Sequence, residues 1–200
     1  MKKTIQTLSL CLVLFLTSCT KSTGDKQWQA EITENKAASL KEVFLKNGSE
    51  KLLDITASKD EVKMSDYNKM IANQIASYFQ DKFKIDITKE FIDNPEGIVI
   101  LGLFYAKKEQ QDANSQIMSN RTNNLMKANL MQVNDTNDCF WAAVTGIFSL
   151  ADAKNIWKAI SAGATEETVI AAAKLIGRRA GGIIIITIAI LEIGECIGWW

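Results

Sequence analysis

The sequence predicts an all-α protein of two small helical units that follow a removable export segment. Three observations carry that reading. Apolar residues recur at three- and four-residue steps through the middle of the chain. Helix-capping residues recur along the chain, and the single proline follows an asparagine, as at a helix start. The last third is a succession of alanine- and isoleucine-rich stretches divided by glycine, serine and threonine.

The first segment is an address. Lys2 and Lys3 supply a positive start, and residues 5–16 form an uncharged, mostly apolar core of about 12 residues. As a helix it would rise only ~18 Å, against ~30 Å of bilayer hydrocarbon, so removal is favoured over a permanent span. Leu16-Thr17-Ser18-Cys19 resembles a bacterial lipobox, in which small residues precede a cysteine. The resemblance implies that Cys19 is diacylated on sulfur and becomes the first residue after cleavage of 1–18. It further implies palmitate-type acylation and membrane lipid as a partner. Each buried methylene adds ~0.8 kcal/mol, so two or three chains make such anchoring effectively permanent. Thr20 in place of Asp resembles lipoproteins passed to the outer membrane of a Gram-negative cell, with the periplasmic face and the cell surface both open. Residues 20–36 are polar with one aromatic, Trp28, and suit a flexible tether.

The helical unit expected at 37–115 opens with two capping-box spacings, Ser39-Leu40-Lys41-Glu42 and Ser58-Lys59-Asp60-Glu61, separated by the stop signal Asn47-Gly48. Tyr67, Met70, Ile71, Ile75, Tyr78, Phe79 and Phe83 make one apolar stripe, which predicts a helix over 65–84. Asn94-Pro95-Glu96 predicts another helix start, with Asn as cap, Pro in the first turn and Glu at the positive dipole end. Residues 97–106 are apolar nearly all round and read as a buried helix, with a buried strand as the alternative. Asn and Gln clusters then predict an exposed helix end and a polar linker at 116–138.

In the unit expected at 139–200, helices are predicted at about 140–148, 151–162, 166–179 and 182–197. Ser149 and Thr165 supply caps, Gly163 closes the second, and Gly181-Gly182 separates the last pair. The segment resembles, in style, the hydrophobic helical domains of bacteriocin-like peptides, which implies activity at a membrane. The four isoleucines 183–186 also suit a strand, but helical neighbours favour a buried helix.

Cys139 and Cys196 remain once the export segment and anchor are set aside, and in an oxidising compartment they are expected to form a disulfide. Trp199 and Trp200 are candidates for membrane contact at the headgroup level, although a terminal aromatic pair also serves to cover a core; Arg178 and Arg179 complement the negative end of the third helix or contact lipid phosphate. Glu192 and Glu195 share a helix face, which suits either an acid/base pair or, more simply, a polar edge paired with Lys158 or Lys174.

Much chemistry is excluded. There is no histidine, which removes Ser/His and Cys/His nucleophiles and His-ligated zinc. No Gly-rich phosphate loop, calcium loop or CxxC pair is present. Lys and Arg number 23 against 23 Asp and Glu, and loss of Lys2 and Lys3 leaves the balance near −2, with no field to gather nucleic acid. No cofactor and no metal are expected, and the function predicted is a non-enzymatic binding or structural role in the envelope with an envelope protein as partner. A membrane-active factor is the alternative.

Overall fold

The computed structural model describes residues 37–120, 138–177 and 182–200. The expected signal peptide, Cys19 and the tether lie outside these residues. Among the described residues every regular element is helical.

Helix α1, Leu40–Lys46, starts where Ser39 accepts from the Glu42 N–H at 3.2 Å. The expected reciprocal bond is displaced by one residue: Glu42 accepts from Ala38 N–H at 2.7 Å. Asn47 caps its end, and Gly48 leads into α2, Ser49–Ser58. The second capping box is not formed. Ser58 is the last residue of α2 and donates to the Ile55 carbonyl, while Asp60 caps α3, Glu61–Phe83, accepting from Val62 and Lys63 N–H. A carboxylate two residues nearer the helix supersedes the hydroxyl as the cap.

The predicted stripe on α3 is the buried one, with Met64, Tyr67, Ile71, Ile75, Tyr78 and Phe79 inside and Met70 and Phe83 half-buried at its edge. A short 3-10 helix, Thr88–Phe91, leads to α4, Pro95–Asn120, whose first turn is capped as expected by Asn94 accepting from Gly97 N–H at 3.1 Å. Residues 97–107 of α4 are buried on every side. That settles the choice between strand and helix, and it dictates the architecture, because a helix apolar all round must be covered all round.

The cover comes from both halves of the chain. Helix α5 spans 138–145, α6 is Leu150–Ser161, α7 is Glu166–Gly177 and α8 is Ile183–Cys196. Helices α1, α3, α6, α7 and α8, together with the 3-10 helix, all pack on α4. The segments 37–115 and 139–200 therefore do not stand apart: the described residues all belong to one compact unit. The first five positions of the expected 116–138 linker belong to α4.

Contacts Ile75 with Gly102, Phe79 with Tyr105 and Lys82 with Glu109 advance together along both chains, so α3 and α4 run in the same direction. They approach closely at Gly102, where an added Cβ would lie 2.5 Å from Ile75 Cδ1. In the C-terminal segment, Ser149 caps α6 through Asp152 N–H at 3.2 Å and Thr165 accepts from Thr168 N–H at 3.4 Å, as the sequence predicts.

Candidate functional site

Helix α8 is where the chain's composition is least ordinary. No charge occurs from Ile183 to Leu191, and the helix ends in Glu192-Ile193-Gly194-Glu195-Cys196. Four successive isoleucines make a helix here and not a strand, since α2, α3 and α4 flank it and leave no sheet edge among the described residues to join. Ile186, Ala189, Ile190 and Ile193 point into the core. Ile184, Ile185 and Ile188 point out of it and are 39%, 45% and 36% exposed.

The inner face carries one polar residue, Thr187, fully buried and opposite the equally buried Asn68 of α3. Asn68 donates through Nδ2 to Thr187 Oγ1 at 3.2 Å and to the Ile183 carbonyl at 3.4 Å. Thr187 donates in turn to its own helix at Ile183 O, 2.9 Å. Two polar groups that would each cost free energy if buried alone satisfy one another and fix α8 against α3.

The far end of α8 is locked several times over. Cys196 forms the expected disulfide with Cys139 at the start of α5, with Cα atoms 5.5 Å apart. The Trp199 N–H donates to the Gly194 carbonyl at 2.8 Å, turning the chain back on the helix. Trp200 then lies over Gly194 so closely that a Cβ there would meet its ring at 2.0 Å. Trp199 is 6% exposed and stacks on Phe44 of α1 with ring centroids 4.9 Å apart. Gln110 of α4 donates to the Ile197 carbonyl at 3.1 Å. Of the residues singled out for membrane contact, Trp199 thus covers the core, Trp200 is half-buried, and Arg178 and Arg179 lie outside the described residues.

Glu192 and Glu195 are both exposed, and among the described residues neither forms an ion pair. The expected partnership with Lys158 or Lys174 is absent, the carboxylates being directed to solvent. Nor do the described residues contain a cluster of acidic and sulfur side chains able to hold a metal ion.

Two polar features near this end have no sequence motif. Lys107 on α4 is 4% exposed, finds no carboxylate among the described residues, and sits over the Phe140 ring with its Nζ 5.6 Å from the centroid. Burial pushes its amine below the ordinary lysine pKa. On the other flank, Glu109 accepts from the Leu40 N–H at 3.0 Å, from Lys82 at 3.1 Å and from the Tyr78 hydroxyl, which also accepts from Lys82. The half-buried carboxylate satisfies an orphan N–H at the start of α1 and ties α1, α3 and α4 together. Burial first, then the hydrogen bond to Glu109 and its charge, raises the Tyr78 phenol well above its usual value.

The fold and this arrangement define an all-helical body with a disulfide-fixed apolar helix at its surface. Compared with family models, curated proteins and solved structures, the chain matches none.

Proposed function

We propose that this protein is a lipid-anchored component of a Gram-negative outer membrane, attached through Cys19, whose helical body has a non-enzymatic binding or structural role. The observation that carries the reading is the pairing of Cys139 with Cys196, since disulfides persist in exported proteins and are rare in reducing compartments. It agrees with the lipobox pattern Leu16-Thr17-Ser18-Cys19, which supplies the address and the attachment. The sequence vocabulary supports a role without catalysis, there being no histidine to serve as base or ligand. Metabolic labelling with a palmitate analogue tests the anchor: the full chain incorporates it in cells, and Cys19→Ala does not. Incorporation that survives Cys19→Ala, or none in the unmodified chain, removes the reading.

The exposed isoleucines of α8 favour a second reading, a factor that perturbs membranes through its C-terminal helices. Release of an entrapped dye from liposomes by the full chain is its expected signature. Intact liposomes at all protein concentrations would dismiss it.

A further inference from the structure

We propose that the outer face of α8, made by Ile184, Ile185 and Ile188, seats in the lipid leaflet to which Cys19 attaches the chain; the inference rests on the anchor reading above. The first support is a contrast within the molecule. On α3 the exposed positions include Lys63, Asp66 and Lys69, and on α6 they include Lys154 and Lys158. Apart from apolar residues in their first turns, Val62 on α3 and Leu150 and Ala151 on α6, those helices follow the ordinary rule that the outward stripe is polar. Helix α8 breaks it: Ile186, Ala189, Ile190 and Ile193 already supply its core contact, and the outward residues are apolar as well.

Area decides between occupants. The three isoleucines together offer on the order of 200 Å² of apolar surface, far below the ~800 Å² per partner of a stable protein interface, so neither a second copy nor a protein ligand is held by this face alone. A lipid leaflet needs no complementary surface, only apolar area presented at the boundary between headgroups and acyl chains. Length sets the orientation. With 14 residues α8 is about 21 Å long, and no described helix is long and apolar enough to cross a membrane. The helix therefore lies along the surface. Glu192 and Glu195 stay exposed at its C-terminal end, which holds that end in water while the N-terminal half dips. The leaflet is within reach, because the 18 residue steps from Cys19 to Ala37 span at most about 60 Å.

The test uses the full chain with Cys11→Ser and Cys19→Ser, so that a single introduced thiol is the one available for labelling beside the oxidised Cys139–Cys196 pair. An environment-sensitive fluorophore is placed at Ile184→Cys, at Ile188→Cys and, as the control, at Lys154→Cys on α6. Labelled chains, given an N-terminal hexahistidine, are tethered to vesicles of phosphatidylethanolamine and phosphatidylglycerol that contain a nickel-chelating lipid, which stands in for the acyl chains lost with Cys19. Helicity by circular dichroism and resistance of the native pair to thiol reagents verify the fold. The expected result is a blue-shifted emission at 184 and 188, quenched several-fold more by brominated lipids than the probe at 154. Probes at 184 and 188 as water-exposed as the control overturn the proposal. So does a probe shielded from water and brominated lipid alike, the mark of a second copy. Lipid-quenched probes together with failed palmitate labelling would keep the seating and discard the anchor. Labelled Cys19 with water-exposed probes would do the reverse.

Discussion

Trp199 stacks on Phe44 with ring centroids 4.9 Å apart and planes inclined by 18°. The contact joins α1 to the residues just beyond α8, and it explains why α1, only seven residues long, is fixed. Phe44, Leu40 and Val43 are all fully buried, and α1 is held at its first turn by Glu109 and at its apolar face by an indole.

The disulfide closes a 57-residue separation between α5 and the end of α8. Chain-entropy reasoning assigns such a loop roughly 4 kcal/mol of stabilisation. The double variant Cys139→Ser, Cys196→Ser is expected to lose about 2–4 kcal/mol in denaturant titrations, with the oxidised parent as reference. Equal midpoints would show that the bridge adds nothing.

Gly194 has no room for a methyl group, since its Cβ would lie 2.0 Å from the Trp200 ring. Gly194→Ala is expected to destabilise by about 1–3 kcal/mol as the ring is displaced. In the Trp200→Ala background the same change should be close to neutral, or slightly favourable inside a helix. Additive costs in this pair of measurements would contradict the packing.

Asn68 and Thr187 form a fully buried polar pair. Thr187→Val leaves part of the Asn68 amide without its partner and is expected to cost about 1–3 kcal/mol. Asn68→Leu combined with Thr187→Val should cost clearly less than the two single changes summed, the coupling being read from a double-mutant cycle of urea midpoints.

Lys107 is buried and its amine is held below the ordinary value of 10.5 by desolvation. In the window between the folded and unfolded pKa values the unfolded chain binds more protons, so the lysine's penalty is fully present below the folded pKa and is relieved as pH rises from there towards 10.5. Lys107→Met is therefore expected to raise the urea midpoint where the folded amine is charged, with the gain shrinking as pH rises towards 10.5. Loss of the Phe140 contact offsets part of that gain, by about 0.5–2 kcal/mol. A variant less stable at pH 7 than at pH 9.5, relative to the parent, reverses the sign and rejects the account.

All three tyrosines have raised phenol pKa values. Burial takes Tyr67 and Tyr105 to about 12, and burial with Glu109 takes Tyr78 higher still. Below about pH 10 both folded and unfolded phenols are protonated; above it the unfolded chain releases its protons first, so stability falls as pH rises through this range. Phenolate absorbance should stay flat through pH 10 while the chain is folded and appear near pH 10 in guanidinium. An ordinary titration in the folded protein would show an exposed tyrosine.

Helix class, most boundaries and the disulfide were legible in the sequence because they depend on local signals. The stripe on α3, the caps at Ser39, Asn94 and Ser149, and Cys139 with Cys196 all fall where the residue types require. Ser58 was misleading because two overlapping cap candidates, 58 and 60, compete within one turn, and spacing alone does not rank them. The merging of the two segments into one body was not legible in the sequence: 97–106 read as buried, but α6, α7 and α8, which share in packing on that helix, are remote in the chain. Asn68 left a trace, a polar residue inside an apolar stripe, and so did Thr187 inside the isoleucine run. Their pairing needed the tertiary structure, as did Lys107 and Glu109, whose partners lie far away in the chain.

The direction shared by α3 and α4, with α1 bonded to α4 across 69 positions through Leu40 and Glu109 and α3 bonded to α8 across 119 through Asn68 and Thr187, gives this molecule a topology that is unusual for helices. Helical proteins ordinarily fold within microseconds to milliseconds because neighbours along the chain are neighbours in space. Here the loop-closure cost of several remote pairings falls before the central helix is enclosed. Until Ile183–Cys196 arrives, the side of α4 that it covers stands open to solvent, and the rate at which the molecule matures is set by search and not by helix formation.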